Sequence, residues 1–140
     1  MSETKEKYLK MRVLIIDDNP VDRELLKTHL ENMGFENIHE CRNGNEGIFK
    51  VQTSFKILQP YHLIVTDWRM PEKDGLSFLK YLRSIDAFAN IPVVMLTGVS
   101  DQSSVKDALS EGVNDFILKP ISGEILAKKI NNLLGSMSVL

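Results

Sequence analysis

Cysteine is almost absent from this 140-residue chain: Cys41 stands alone, which excludes an intramolecular disulfide and leaves a cysteine-based zinc site unsupported. It ends a short strand-like run beginning at Asn37 and reads as a plain buried thiol, consistent with a reducing, cytoplasmic setting. Long apolar runs are also missing, since none approaches the ~18 residues that span a bilayer. Residues 1–11 alternate charge without the apolar core of a signal peptide, so neither export nor a membrane partner is expected. A surplus of either charge is lacking too. Seventeen basic against nineteen acidic residues leave a net charge of −2, with no broad basic field for binding nucleic acid directly. No internal repeat or low-complexity tract appears.

What remains is an ordinary soluble composition, 43% hydrophobic and 26% charged, at a length that fits one domain with a full core. The expected layout is a polar N-terminal extension over 1–10, one domain over 11–134 and a short tail over 135–140.

Residues 12–16 read as a strand whose apolar residues, Val13 to Ile16, are continuous, the kind buried on both faces, and it ends in Asp17-Asp18-Asn19-Pro20. Asn19 is a good N-cap, Pro20 suits the first helical position and Asp22 complements the dipole, so a helix starts at once. Its expected inward stripe is Val21, Leu25, Leu26, Leu30 and Met33, with Gly34 as the stop. A short strand around Ile38 and the turn at Asn43-Gly44 lead to a helix carrying Ile48, Val51 and Phe55, whose end before Pro60 is open. A third strand over 62–66 runs into Asp67, and a helix over 76–84 turns Phe78, Leu79 and Leu82 inward.

The fourth strand spans 92–97, followed by a helix over 101–111 with Val105, Ala108 and Leu109 as its stripe. The fifth, over 115–119, stops at Pro120, and the last helix takes Ser122 as N-cap and Ile125, Leu126, Ile130, Leu133 and Leu134 as its apolar face. Strands alternating with helices in this way predict an α/β fold: a doubly wound, five-stranded parallel sheet flanked by five helices.

In such a sheet all strand C-termini share one edge, which gathers Asp17 and Asp18, Asp67, Thr97 and Lys119. Three carboxylates held together repel unless a cation sits among them, and an all-oxygen set with room for water favours Mg²⁺. A carboxylate beside a metal can act as a nucleophile on phosphorus, giving an aspartyl phosphate. Lys119 and the metal would then neutralise the phosphoryl oxygens, while Thr97 donates a hydrogen bond.

The Asp17-Asp18 pair, Asp67 in Asp67-Trp68-Arg69-Met70-Pro71, Asp74-Gly75, Thr97-Gly98 and Lys119-Pro120, in that order, resemble the receiver domains of two-component response regulators. The resemblance covers about 11–134 and is nearest to single-domain regulators of the chemotaxis type. It implies the flavodoxin-like receiver fold and an activation switch, not a classical enzyme: the domain catalyses only its own phosphoryl transfer and autodephosphorylation. Asp67 would accept phosphate from a histidine kinase or phosphotransfer protein. Asp18, Asp67 and the Arg69 backbone carbonyl would ligate Mg²⁺, Asp17 acting through a water, and Lys119 would pair with Asp67. The Lys119-Pro120 bond is usually cis in this family.

Phe116 falls at the family's aromatic switch position, coupled through Thr97 to the face made by the fourth helix, fifth strand and fifth helix, α4-β5-α5 in this count. There a downstream protein would dock, the chain itself being a monomer or weak dimer. Arg69 and Val99 border the phosphorylation site, and Arg69 with Val99 opposite is expected to obstruct hydrolytic water. Trp68 could report on the site by fluorescence or be simple packing, and His29, His39 and His62 read as structural.

Two other functions use similar parts: a phosphorylation-independent pseudo-receiver scaffold, and a Mg²⁺-dependent phosphatase with an Asp nucleophile. The first would lack an acid or the lysine, and the second wants its two acids two residues apart after the first strand, where this chain has an adjacent pair.

Overall fold

A computed structural model describes residues 3–69, 74–98 and 102–135. Among these, five strands form one all-parallel sheet in the order β2-β1-β3-β4-β5, with β1 Arg12–Ile16, β2 Asn37–Cys41, β3 Leu63–Asp67, β4 Val93–Thr97 and β5 Asp115–Leu118. The expected sheet is therefore present. Six helices accompany it, one more than expected: α1 Glu3–Leu9, α2 Pro20–Met33, α3 Gly44–Lys56, α4 Gly75–Ser84, α5 Gln102–Ser110 and α6 Gly123–Leu134.

Strand alternation sorts the core into two layers. Leu14, Ile16, Ile64, Val93 and Met95 point to the side packed by Val51, Phe78, Leu79, Leu82 and Ala108. Val13, Ile15, Leu63, Val65, Val94, Leu96 and Ile117 point to the other, against Leu26, Leu30, Leu126, Ile130 and Leu134. The central strands β3 and β4 are buried throughout, which is why Leu63 to Val65 and Val93 to Leu96 are continuously apolar before the polar residues at the strand ends.

The helix starts follow their capping chemistry. Asn19 accepts from the Val21 and Asp22 N–H groups, Asn43 from Glu46, Asp74 from Ser77 and Ser122 from Ile125. Gly34 ends α2 at φ 113°, a left-handed conformation that costs glycine little. Gly75 is needed for close approach, because a Cβ there would meet Trp68 Cε3 at 2.7 Å and the Asp67 carbonyl at 2.9 Å.

The additional helix α1 arises from Tyr8, an aromatic in an otherwise polar segment. Its side chain is fully buried, stacks on Phe35 with ring centroids 4.3 Å apart, and its hydroxyl donates to Asn131 Oδ1 at 2.7 Å. Lys7 Nζ donates to the Leu134 carbonyl at 2.8 Å, satisfying an end carbonyl of α6. The helix thus closes the α2–α6 layer at the sheet edge opposite the strand C-termini.

Several expected inward residues face outward. Val21 and Leu25 are exposed because the buried stripe of α2 runs through Leu26 and Leu30, four residues apart, on a neighbouring face. Phe55, Leu109 and Ile125 are exposed for the same reason, each lying just off the buried line of its helix. The segment after α3 turns at Leu58, φ 58°, and returns Tyr61 to the core, where its hydroxyl bonds His39 Nδ1 at 2.8 Å. Arg12 N–H donates to His62 Nδ1 at 3.0 Å, so His39 and His62 are both structural, as expected. Cys41 is buried, and burial pushes its thiol up to about 12.

Candidate functional site

Ile15, Val65 and Ile117 belong to the same core layer. Two residues further along their chains stand Asp17, Asp67 and Lys119, and the period of a strand returns all three to that face at the C-terminal edge. Two hydrogen bonds hold the first acid in the β1–α2 turn. Asp17 N–H donates to the Cys41 carbonyl at 3.1 Å, and Asp17 Oδ1 accepts from Asn19 N–H at 2.9 Å.

Lys119 Nζ reaches three carboxylates: Asp17 Oδ2 at 3.1 Å, Asp22 Oδ2 at 3.2 Å and Asp67 Oδ2 at 3.4 Å. Asp17 is fully buried, Asp67 nearly so, and Asp18 faces solvent. Burial, and after it the Asp17 charge, raise the Asp67 carboxyl to about 6 against the opposing pull of Lys119. Burial also works against the Lys119 ammonium, but Asp67 and Asp17 outweigh it and hold its pKa above the ordinary lysine value. The Lys119-Pro120 peptide is cis.

One oxygen from each of Asp17, Asp18 and Asp67 lies within 4.8 Å of the others. Mg²⁺ prefers oxygen donors at about 2.0–2.1 Å with waters completing an octahedron, and this donor set fits it with small closing movements. Burial is the first cause of the raised Asp67 pKa and the neighbouring Asp17 charge the second, and a cation among these carboxylates would oppose both.

Thr97 is buried at the end of β4, and its Oγ1 donates to the Gly98 carbonyl at 3.3 Å. It is two residues past Met95, which pairs with Phe116 in the register of β4 and β5. Thr97 and Phe116 therefore share the sheet face opposite Lys119. Phe116 is half-buried beneath Lys129, whose Nζ lies 4.8 Å from the ring centroid and donates to the Phe116 carbonyl at 2.6 Å and to Asp115 Oδ1 at 3.0 Å. Arg69 stands exposed just after Trp68, which is buried packing, while Val99 lies outside the described residues.

Two charged neighbours have partners that the sequence did not show. By sequence Asp22 is a helix-dipole residue, and Lys129 with Lys128 a solvated helix face lying on the expected output surface; the structure pairs Asp22 with Lys119, and Lys129 with Asp115 and Phe116.

Comparison with known proteins agrees with this geometry. The family described as response regulator receiver domain matches residues 13–131. The chain is similar to the chemotaxis protein CheY1 of Helicobacter pylori, 33% identical over 126 residues, covering 90% of this chain and 98% of that protein. A chemotaxis protein CheY homolog of Campylobacter jejuni is 31% identical, with 91% and 95% covered. Among solved structures, a putative response regulator from Chloroflexus aurantiacus superposes with a TM-score of 0.79 at 27% identity, covering 89% of this chain and 98% of its own. The chemotaxis response regulator CheY4 of Vibrio cholerae gives 0.78 at 25% identity, with the same coverage.

Proposed function

The chain belongs to the response regulator receiver domain family, and from that premise we propose that it is a phosphorylation-activated switch in which Asp67 accepts a phosphoryl group from a histidine kinase or phosphotransfer protein. The observation that carries this reading is the Lys119 ammonium shared by Asp17 and Asp67 at the strand ends, beside exposed Asp18. A carboxylate oxygen of Asp67 attacks the phosphorus of the donor's phosphohistidine. The P–O bond forms as the P–N bond breaks, the electron pair staying on the imidazole nitrogen, which then takes up a proton.

Lys119 shifts towards the transferred group and neutralises one phosphoryl oxygen, and the Thr97 hydroxyl donates to another. Asp18, Asp67 and the Arg69 carbonyl, with Asp17 through a water, are the groups that would hold Mg²⁺, which would supply further positive charge there. Asp67 also needs to be ionised to attack, which its pKa of about 6 permits at neutral pH.

The signal leaves through Thr97 and Phe116. With α1 counted, the proposed output surface is α5-β5-α6, where Leu109, Leu118 and Ile125 are exposed apolar residues suited to a downstream protein. A rearrangement that takes this face from 1:99 to 99:1 requires ~5.5 kcal/mol of differential stabilisation by the phosphate. Arg69, with Val99, modulates the lifetime of the phosphate by obstructing water.

The test is incubation with Mg²⁺ and acetyl phosphate, followed by mass spectrometry. A phosphoryl adduct should form and be lost in Asp67→Ala, and Arg69→Asn should shed it faster. No adduct, or one that survives Asp67→Ala, overturns the reading.

A further inference from the structure

An ammonium has three N–H donors, and those of Lys119 have three carboxylate neighbours at 3.1, 3.2 and 3.4 Å, on Asp17, Asp22 and Asp67. A phosphoryl group on Asp67 takes over that carboxylate's place beside the ammonium and, with more charge, draws Lys119 away from the other two acceptors. The three acceptors are unequal. Asp17 is fully buried and its other oxygen is committed to Asn19 N–H, so losing the ammonium would leave a buried charge uncovered. Asp67 is the reacting group itself. Asp22 stands on the first turn of α2 with its side chain 38% exposed, where water can replace the ammonium at little cost.

Resting on the phosphoacceptor reading, we infer that Asp22 is a positioning residue that holds Lys119 in the unphosphorylated protein and releases it when Asp67 is phosphorylated. Its charge thereby restrains the rate of phosphoryl uptake, first by competing for the ammonium and second by repelling the anionic donor.

The experiment follows phosphorylation of the full chain by acetyl phosphate with Mg²⁺ in wild type, Asp22→Asn and Asp22→Glu, and records the Lys119 ¹³Cε resonance without donor. Asp22→Asn should take up phosphate about two- to fivefold faster, the range expected for losing a partly exposed ion pair. The gain should shrink as salt screens the site. Asp22→Glu should return the rate towards wild type, and the Lys119 resonance should move in Asp22→Asn alone. A purely structural role would lower the denaturation midpoint and leave both rate and resonance in place. An unchanged or slower rate in Asp22→Asn, or an unmoved resonance, while wild type is phosphorylated, overturns this inference alone. Wild type that takes up no phosphoryl mass overturns the phosphoacceptor reading, and this inference with it.

Discussion

Lys129 on α6 clasps Phe116 on β5 from two directions: its ammonium donates to the Phe116 carbonyl at 2.6 Å and lies 4.8 Å from the centre of the ring. The contact ties a helix to an edge strand at the surface proposed to carry the output. Lys129→Met keeps the aliphatic stem and removes both interactions, together with the Asp115 pair. The expected cost is about 1–2 kcal/mol, from one hydrogen bond and one partly desolvated cation–π contact. Urea denaturation measures it. A loss below the precision of the fit would mean that the ammonium is no better placed there than in water.

Asp67 should destabilise the metal-free protein at neutral pH, because its folded pKa of about 6 stands above the ordinary value of 3.8. Below the lower value the side chain is protonated in both states. As pH rises through the window the unfolded chain ionises first, the native state binds more protons, and stability falls. Asp67→Asn removes this titration, so its stability advantage over wild type should grow between about pH 4 and pH 6 and stay level above, reaching at most on the order of 3 kcal/mol. Added Mg²⁺ should narrow the gap by binding native wild type. Paired denaturation curves in chelator and in Mg²⁺ check both statements, and a gap that widens towards acid pH contradicts them.

Tyr8→Ala should cost about 3–5 kcal/mol, as for other large buried aromatics, because the side chain is wholly enclosed against Phe35. Tyr8→Phe should cost only about 1 kcal/mol, the net worth of the bond to Asn131. Equal losses in the two variants would place the energy in the hydroxyl instead of the ring, contrary to the stacking geometry. Thermal or chemical unfolding of the intact chain separates the cases.

Local chemistry is what the sequence determines here. Unbroken apolar runs at 13–16 and 93–96, caps at Asn19 and Ser122, and stops at Gly34 and Pro120 each act within a few residues, and together they specify a parallel α/β sheet. Topology then brings Asp17, Asp67 and Lys119 to one edge without reference to any long-range contact, because all parallel strands end on the same side. Helix rotation is another matter. Val21 and Leu26 look equally apolar, and only packing against α6 and the sheet selects Leu26 for the core and leaves Val21 in solvent.

The same holds for charge. Asp22 acquires its meaning from an ammonium 97 positions away, and Lys129 from a ring 13 positions back on another element. Tyr8 finds its place only because Phe35 and Asn131 meet at the far end of the sheet. An isolated residue records its own preference, whereas a partner is fixed by how twist, crossover and helix rotation add up across the whole chain. That sum is made by the tertiary structure, and it decides which of two similar side chains holds Lys119 and which merely faces water.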